Sequence, residues 1–96
     1  MKIIYADTFF KRLIGLIGKK DFNHVMVFTN LSGSSIHTML MRFEIDVYFI
    51  DENKRVFDKA SLKPWRFYKA KKRAKYIIET KKGLLKIKIG DRLDFI

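Results

Sequence analysis

The sequence predicts a single mainly β domain, a sandwich or barrel carrying one short N-terminal amphipathic helix. Three observations carry that reading. Short runs rich in β-branched and aromatic residues recur along the chain, as expected of strands. Clusters of Asp, Asn, Gly and Ser separate several of them, as turns do. One stretch near the N-terminus, from Phe9 to Ile17, repeats its apolar residues at helical spacing. A length of 96 residues makes residues 1–96 one β-rich domain, and 48% hydrophobic residues, with nine Phe and four Tyr, can fill its core.

Each element follows from local pattern. Lys2 to Tyr5 reads as a first strand. Asp7 or Thr8 can cap a helix with its side-chain oxygen. Phe9, Phe10, Leu13, Ile14, Leu16 and Ile17 then form the apolar stripe, and Gly18 is placed to end it. His24 to Thr29 reads as a strand and Asn30 to Ser34 as a loop. Ser35 to Thr38 could form a further strand. Ile45 to Ile50 is the clearest strand of all. Asp51-Glu52-Asn53-Lys54 makes a hairpin turn, Arg55 to Leu62 returns, and Pro64 stops it. Tyr76 to Thr80 is a strand and Lys82-Gly83 a turn. Leu84 to Ile89 alternates apolar residues with Lys and is open between strand and helical turn. After Gly90-Asp91, Leu93 to Ile96 is expected to close the chain as a strand.

The charge is unevenly placed. The formal net charge is +11, yet the thirteen residues from Lys63 to Lys75 hold seven bases and no acid. Those bases are Lys63, Arg66, Lys69, Lys71, Lys72, Arg73 and Lys75. Such a concentration points to a polyanionic partner, nucleic acid being one. It equally describes a solvated lysine-rich loop, and abundant Lys and Ile with no Gln also fits heat-adapted composition. The absence of cysteine excludes disulfides, thiolate metal sites and a cysteine nucleophile. Two histidines without metal-ligand spacing, and no glycine-rich phosphate loop, point to no metal and no cofactor. The start reads as no signal peptide, and no window is long and apolar enough for a transmembrane segment. A cytoplasmic location is the expectation.

The run Ser35 to Asp51 sets His37, Arg42 and Asp46 in an otherwise apolar, β-like stretch. If residues 38–44 bend between strands, the three could meet at one rim, with His37 as base, Arg42 as anion clamp and Asp46 as orienting carboxylate. Alternatively, Arg42 pairs with Asp46 to tie the bend. Farther on, the only Pro and the only Trp are adjacent, flanked by Lys63 and Arg66. Trp65 suits stacking on a base or sugar, or it plugs the end of the core. Met39 and Met41 suit an adaptable surface or a core filling.

Four pieces carry a resemblance to a family of small prokaryotic proteins, the domain-of-unknown-function 192 family. Arg12-Leu13-Ile14-Gly15-Leu16-Ile17 resembles its Arg-x-x-Gly-Leu-Met helix. Ile36-His37-Thr38 through Met41-Arg42-Phe43-Glu44-Ile45-Asp46-Val47-Tyr48-Phe49-Ile50-Asp51 resembles its central signature. Leu62-Lys63-Pro64-Trp65 resembles its Pro-Trp segment, and Ile78-Glu79, Gly83 and Gly90-Asp91-Arg92-Leu93 its C-terminal end. The family usually has Met where Ile17 stands and Pro where Glu44 stands, and the basic density from Lys69 to Lys75 is unusual for it. The resemblance implies a compact β-rich domain and shared positions at Arg12, His37, Arg42, Asp46, Pro64, Trp65, Glu79 and Asp91. It implies no role for them.

Taken together, these residues predict a binding module more than an enzyme, since no complete catalytic set is present. Arg12, His37, Arg42, Asp46 and Trp65 are the candidate ligand-binding residues, around a shallow cationic and aromatic pocket for an anionic ligand. The basic segment is the candidate polyanion-binding surface. The alternative is a structural or assembly domain that pairs with a protein partner. A small hydrolase or isomerase using His37 is the third reading.

Overall fold

The computed structural model describes residues 2–6, 24–28, 35–37 and 43–96. Seven strands lie within them: β1 (Lys2–Ala6), β2 (His24–Phe28), β3 (Ser35–His37), β4 (Ile45–Ile50), β5 (Val56–Leu62), β6 (Phe67–Lys69) and β7 (Tyr76–Lys81). Five form a sheet in the order β1-β2-β7-β4-β5, and β3 pairs with β6 in a two-stranded ribbon. Every pairing is antiparallel except that of β1 with β2. The fold is therefore mainly β. No helix lies among the described residues, and the helix expected over Phe9 to Ile17 falls outside them.

The central strands are buried on both faces. On β4, Ile45, Val47 and Phe49 join one core while Tyr48 and Ile50 join the other. On β7, Ile77 faces the first core and Ile78 the second. On β2, Met26 and Phe28 face the first, and Val25 and Val27 the second. This is the two-residue alternation of a strand. Burial on both sides explains why these strands read as near-continuous apolar runs. The first core is covered by the ribbon, through Ile36 and Tyr68, and by Ala70 and Ala74. Residues from the C-terminal segment cover the second: Leu84, Leu85, Ile87, Leu93 and Ile96.

Asp51 builds the β4–β5 turn. Its Oδ1 accepts hydrogen bonds from the Asn53 and Arg55 backbone N–H at 2.9 and 3.0 Å. Lys54 takes the left-handed backbone position there, φ 64°. The return strand then carries one extra residue. Phe49 pairs with Asp58 and Ile50 with Val56, which leaves Phe57 as a bulge. The Phe57 ring packs against the first core, 6.4 Å from the Phe49 centroid.

The chain's end departs from expectation. Leu93 to Ile96 forms no strand; a single bridge joins Arg55 to Arg92. Gly90, at φ 98°, turns the chain so that its N–H donates to the Val56 carbonyl at 2.7 Å. The Val56 N–H donates to the Asp91 carbonyl at 2.9 Å, and the Leu93 N–H to the Lys54 carbonyl at 2.8 Å. These bonds cap the outer edge of β5, and one buried side chain, Leu93, fixes the segment on the sheet. Apolar pattern alone suggested a strand because it could not show that the partner edge is only a few residues long. A strand missed by the same reasoning is β6, which lies inside the basic segment.

Candidate functional site

The ribbon and the loop after it carry most of the basic segment and leave its bases exposed. Within β6, Tyr68 turns inward and its neighbours Phe67 and Lys69 turn outward. The Tyr68 hydroxyl lies 3.0 Å from both Asp58 carboxylate oxygens, and its ring stands 5.6 Å from that of Phe49. Burial, then the hydrogen bond to Asp58 and that residue's charge, hold the Tyr68 phenol above its ordinary pKa. The inward Tyr68 thus fixes which side of β6 faces solvent. Two small residues do the same for the following loop. Ala70 and Ala74 are buried in the first core, so Lys71, Lys72 and Arg73 between them stand outside. All seven bases of the segment are exposed. The Lys72 ammonium rests 4.7 Å from the Phe57 ring centroid, a cation–π contact that ties the loop to the bulge.

Two large aromatics of the same segment are exposed as well. Trp65 is 58% exposed and Phe67 68%. Trp65 does not plug the core. It occupies the turn between β5 and β6 at φ 64°. A left-handed backbone is uncommon for a bulky side chain and carries a cost on the order of 1–2 kcal/mol. Pro64 precedes it with a fixed φ, and Arg66 Nη1 bends back toward the Trp65 and Pro64 carbonyls at 3.4 and 3.5 Å. An exposed, strained aromatic is of little use to the core.

The candidate ligand-binding residues do not all meet. Arg12 and Arg42 lie outside the described residues. His37 is in register with Phe67 across the β3–β6 pair, next to the turn that holds Trp65. Asp46 belongs to the other side of the sheet, between Ile45 and Val47, which face the ribbon. There its carboxylate has structural work: Oδ1 accepts from Ser61 Oγ at 2.5 Å and Oδ2 from the Gly83 N–H at 2.9 Å. Gly83, at φ 80°, closes the turn after β7. Beside it Lys82 Nζ reaches Glu44 at 2.9 Å, the residue standing where the resemblance expects Pro. That ion pair raises the Lys82 pKa, first by its hydrogen bond and then by charge.

Other positions implied by the resemblance are accounted for. Glu79 is buried at 1% exposure, in register between Met26 and Val47. Asp91 Oδ2 accepts the Lys88 N–H at 2.9 Å and shapes the turn before the β5 cap. The described residues include no metal-binding cluster of His, Cys, Asp or Glu and no helix long and apolar enough to cross a membrane. What the sequence reading missed was Phe67 as an exposed aromatic and the anchoring of the basic loop. The signal was there: Ala70 and Ala74, small apolar residues spaced among bases, mark where such a loop touches a core.

Comparison with known proteins agrees with the resemblance. The family model DUF192, "Uncharacterized ACR", matches residues 1–95. The UPF0127 protein PF1050 of Pyrococcus furiosus is 40% identical, covering 99% of this chain and 87% of its own. The UPF0127 protein PH1112 of Pyrococcus horikoshii is 45% identical over 92% of this chain and 82% of its own. A crystal structure of a protein of unknown function from Novosphingobium aromaticivorans superposes with a TM-score of 0.81 at 21% identity, covering 94% of this chain and 71% of that one. At that identity the superposition speaks for the fold alone. The family match over nearly the whole length, with these relatives, makes the chain a member of the uncharacterised DUF192 family.

Proposed function

We propose that this protein is a small non-enzymatic binding module whose sandwich-like sheet and ribbon present an aromatic and basic surface to single-stranded nucleic acid. The observation that carries the reading is the exposure of Trp65 and Phe67 among seven exposed bases. Aromatic faces stack on unpaired bases without regard to sequence, and flanking Lys and Arg follow the phosphates. A duplex hides its base faces, so it would use only the charges. A protein partner would use the same aromatics, but the centres of protein interfaces are depleted in lysine, and this surface is dense in it. A hydrolase using His37 has less support, because its orienting carboxylate, Asp46, is held by Ser61 and Gly83 on the far side of the sheet.

Fluorescence anisotropy with a short labelled RNA or DNA strand, at two or more salt concentrations, tests the proposal. For a single strand, log K falls against log salt by about 0.7 per phosphate neutralised, so a slope of roughly −3 to −5 corresponds to four to seven engaged bases. A duplex of equal length binds more weakly, and heparin binds with charge alone. Failure of any single strand to bind at low salt ends the proposal.

A further inference from the structure

We infer a second binding site, for a small organic oxyanion, in a pocket on the opposite face of the sheet from the aromatic surface. The pocket has a volume of about 440 Å³ and lies between β4–β5 and the segment 85–88 that crosses them. That volume is within the range of small-molecule sites. Its position follows from strand parity. Asp46 pairs with Ser61 and Tyr48 with Lys59, and these four face away from the ribbon.

Two contacts hold the segment 85–88 over the sheet and leave a gap beneath it. The Tyr48 hydroxyl donates to the Leu85 carbonyl at 3.3 Å, and Lys59 Nζ donates to the Ile87 carbonyl at 3.2 Å. An ammonium has three hydrogens, so Lys59 keeps donors for a ligand while it supports the segment. Lys86 and Lys88 add two more cations to the lining, against one carboxylate. That carboxylate is Asp46, whose two oxygens are already engaged by Ser61 and Gly83. With three ammonium groups against one carboxylate in its lining, the pocket is electropositive. Leu85, Ile87 and the Tyr48 ring supply apolar wall. Cationic rim and apolar wall together suit a phosphate or carboxylate group attached to an apolar body.

Calorimetric titration with phenyl phosphate, benzoate, inorganic phosphate and benzyl alcohol tests this, with backbone amide NMR shifts to locate the site. Phenyl phosphate or benzoate is expected to bind and to shift residues 46–48, 59–61 and 85–88. Whichever binds more tightly names the head group. Inorganic phosphate should bind more weakly, and benzyl alcohol not at all. Lys86→Gln with Lys88→Gln, both exposed positions, should weaken binding about fivefold to tenfold. Trp65→Ala should leave it unchanged, which separates this site from the nucleic-acid surface. The inference is overturned if neither aromatic anion binds, if the shifts fall outside the pocket, or if the double variant binds as the parent does.

Discussion

Replacing Trp65 by glycine separates a binding role from a folding role, because the two make different demands on the same residue. With 58% of the residue exposed, roughly two-fifths of its surface is covered. For a side chain that buries about 150–250 Å² when enclosed, that is on the order of 60–100 Å², or about 1.5–2.5 kcal/mol at 25 cal/mol per Å². Glycine also adds freedom to the unfolded chain, at about 0.5–1 kcal/mol. Against these, glycine accepts the φ of 64° without strain and returns about 1–2 kcal/mol. The net is a destabilisation of about 1 kcal/mol, a fall in Tm of about 4–8 °C for a chain of this size. A Trp in the core would cost about 3–5 kcal/mol on truncation. The same change removes a stacking face worth about 1–3 kcal/mol, so affinity for a single strand should fall about fivefold to 150-fold. Urea denaturation and anisotropy on one preparation give both numbers. A variant that loses more than about 3 kcal/mol would make Trp65 a structural plug. A variant that binds single strands undiminished would remove stacking from the mechanism.

The remaining predictions concern the supports of the two surfaces. Tyr68→Phe removes a hydroxyl within 3.0 Å of both oxygens of the buried Asp58 and should destabilise by about 1–3 kcal/mol in urea melts. Tyr48 and Tyr68 both have raised phenol pKa values: Tyr48 by burial first and then the Asp46 charge, Tyr68 by burial first and then Asp58. For an acid raised in the folded state, stability is complete below the ordinary phenol pKa near 10 and is lost as pH rises through the higher folded value. Alkaline melts should therefore show falling stability above about pH 10, with phenolate absorbance appearing at higher pH in the native protein than in urea. Asp46→Ala frees the Gly83 N–H and the Ser61 hydroxyl and should cost about 1–2 kcal/mol. Hydrogen exchange at Gly83 should speed up markedly, while β2 in the interior of the sheet keeps its protection. Phe49→Ala opens the core beneath the ribbon at a cost of about 3–5 kcal/mol, and nucleic-acid affinity should fall with the ribbon's stability.

The longer strands were legible from local pattern; the shortest one, the chain's end and the strand partnerships were not. Ile45 to Ile50 is apolar and β-branched enough to be a strand in any context, and the Asp51 to Lys54 turn carries its own side-chain hydrogen bonds. β6 was illegible because Phe67-Tyr68-Lys69 is three residues long and sits among bases. Its stability comes from β3 and from Tyr68 reaching Asp58, a contact across the fold. Leu93 to Ile96 failed in the other direction, since Leu93 and Ile96 serve packing against the second core and not a ladder. Among the site residues, the basic segment could be read as an exposed surface because charge resists burial. Whether Trp65 belonged to core or surface had no local answer, since Trp serves either.

By itself, the amino-acid sequence determined a mainly β domain of the DUF192 family with its cationic excess gathered between Lys63 and Lys75. The fold class and the charge follow from side-chain chemistry and short-range periodicity, which act over a few residues, and the family from a likeness that runs along residues 1–95. Only the tertiary structure decided that Asp46 faces away from the ribbon, that Trp65 stands in solvent, and that a lysine-rimmed pocket opens beneath residues 85–88. These outcomes depend on register, on the Phe57 bulge and on which segments cover each face of the sheet. They are set by contacts between residues far apart in the chain.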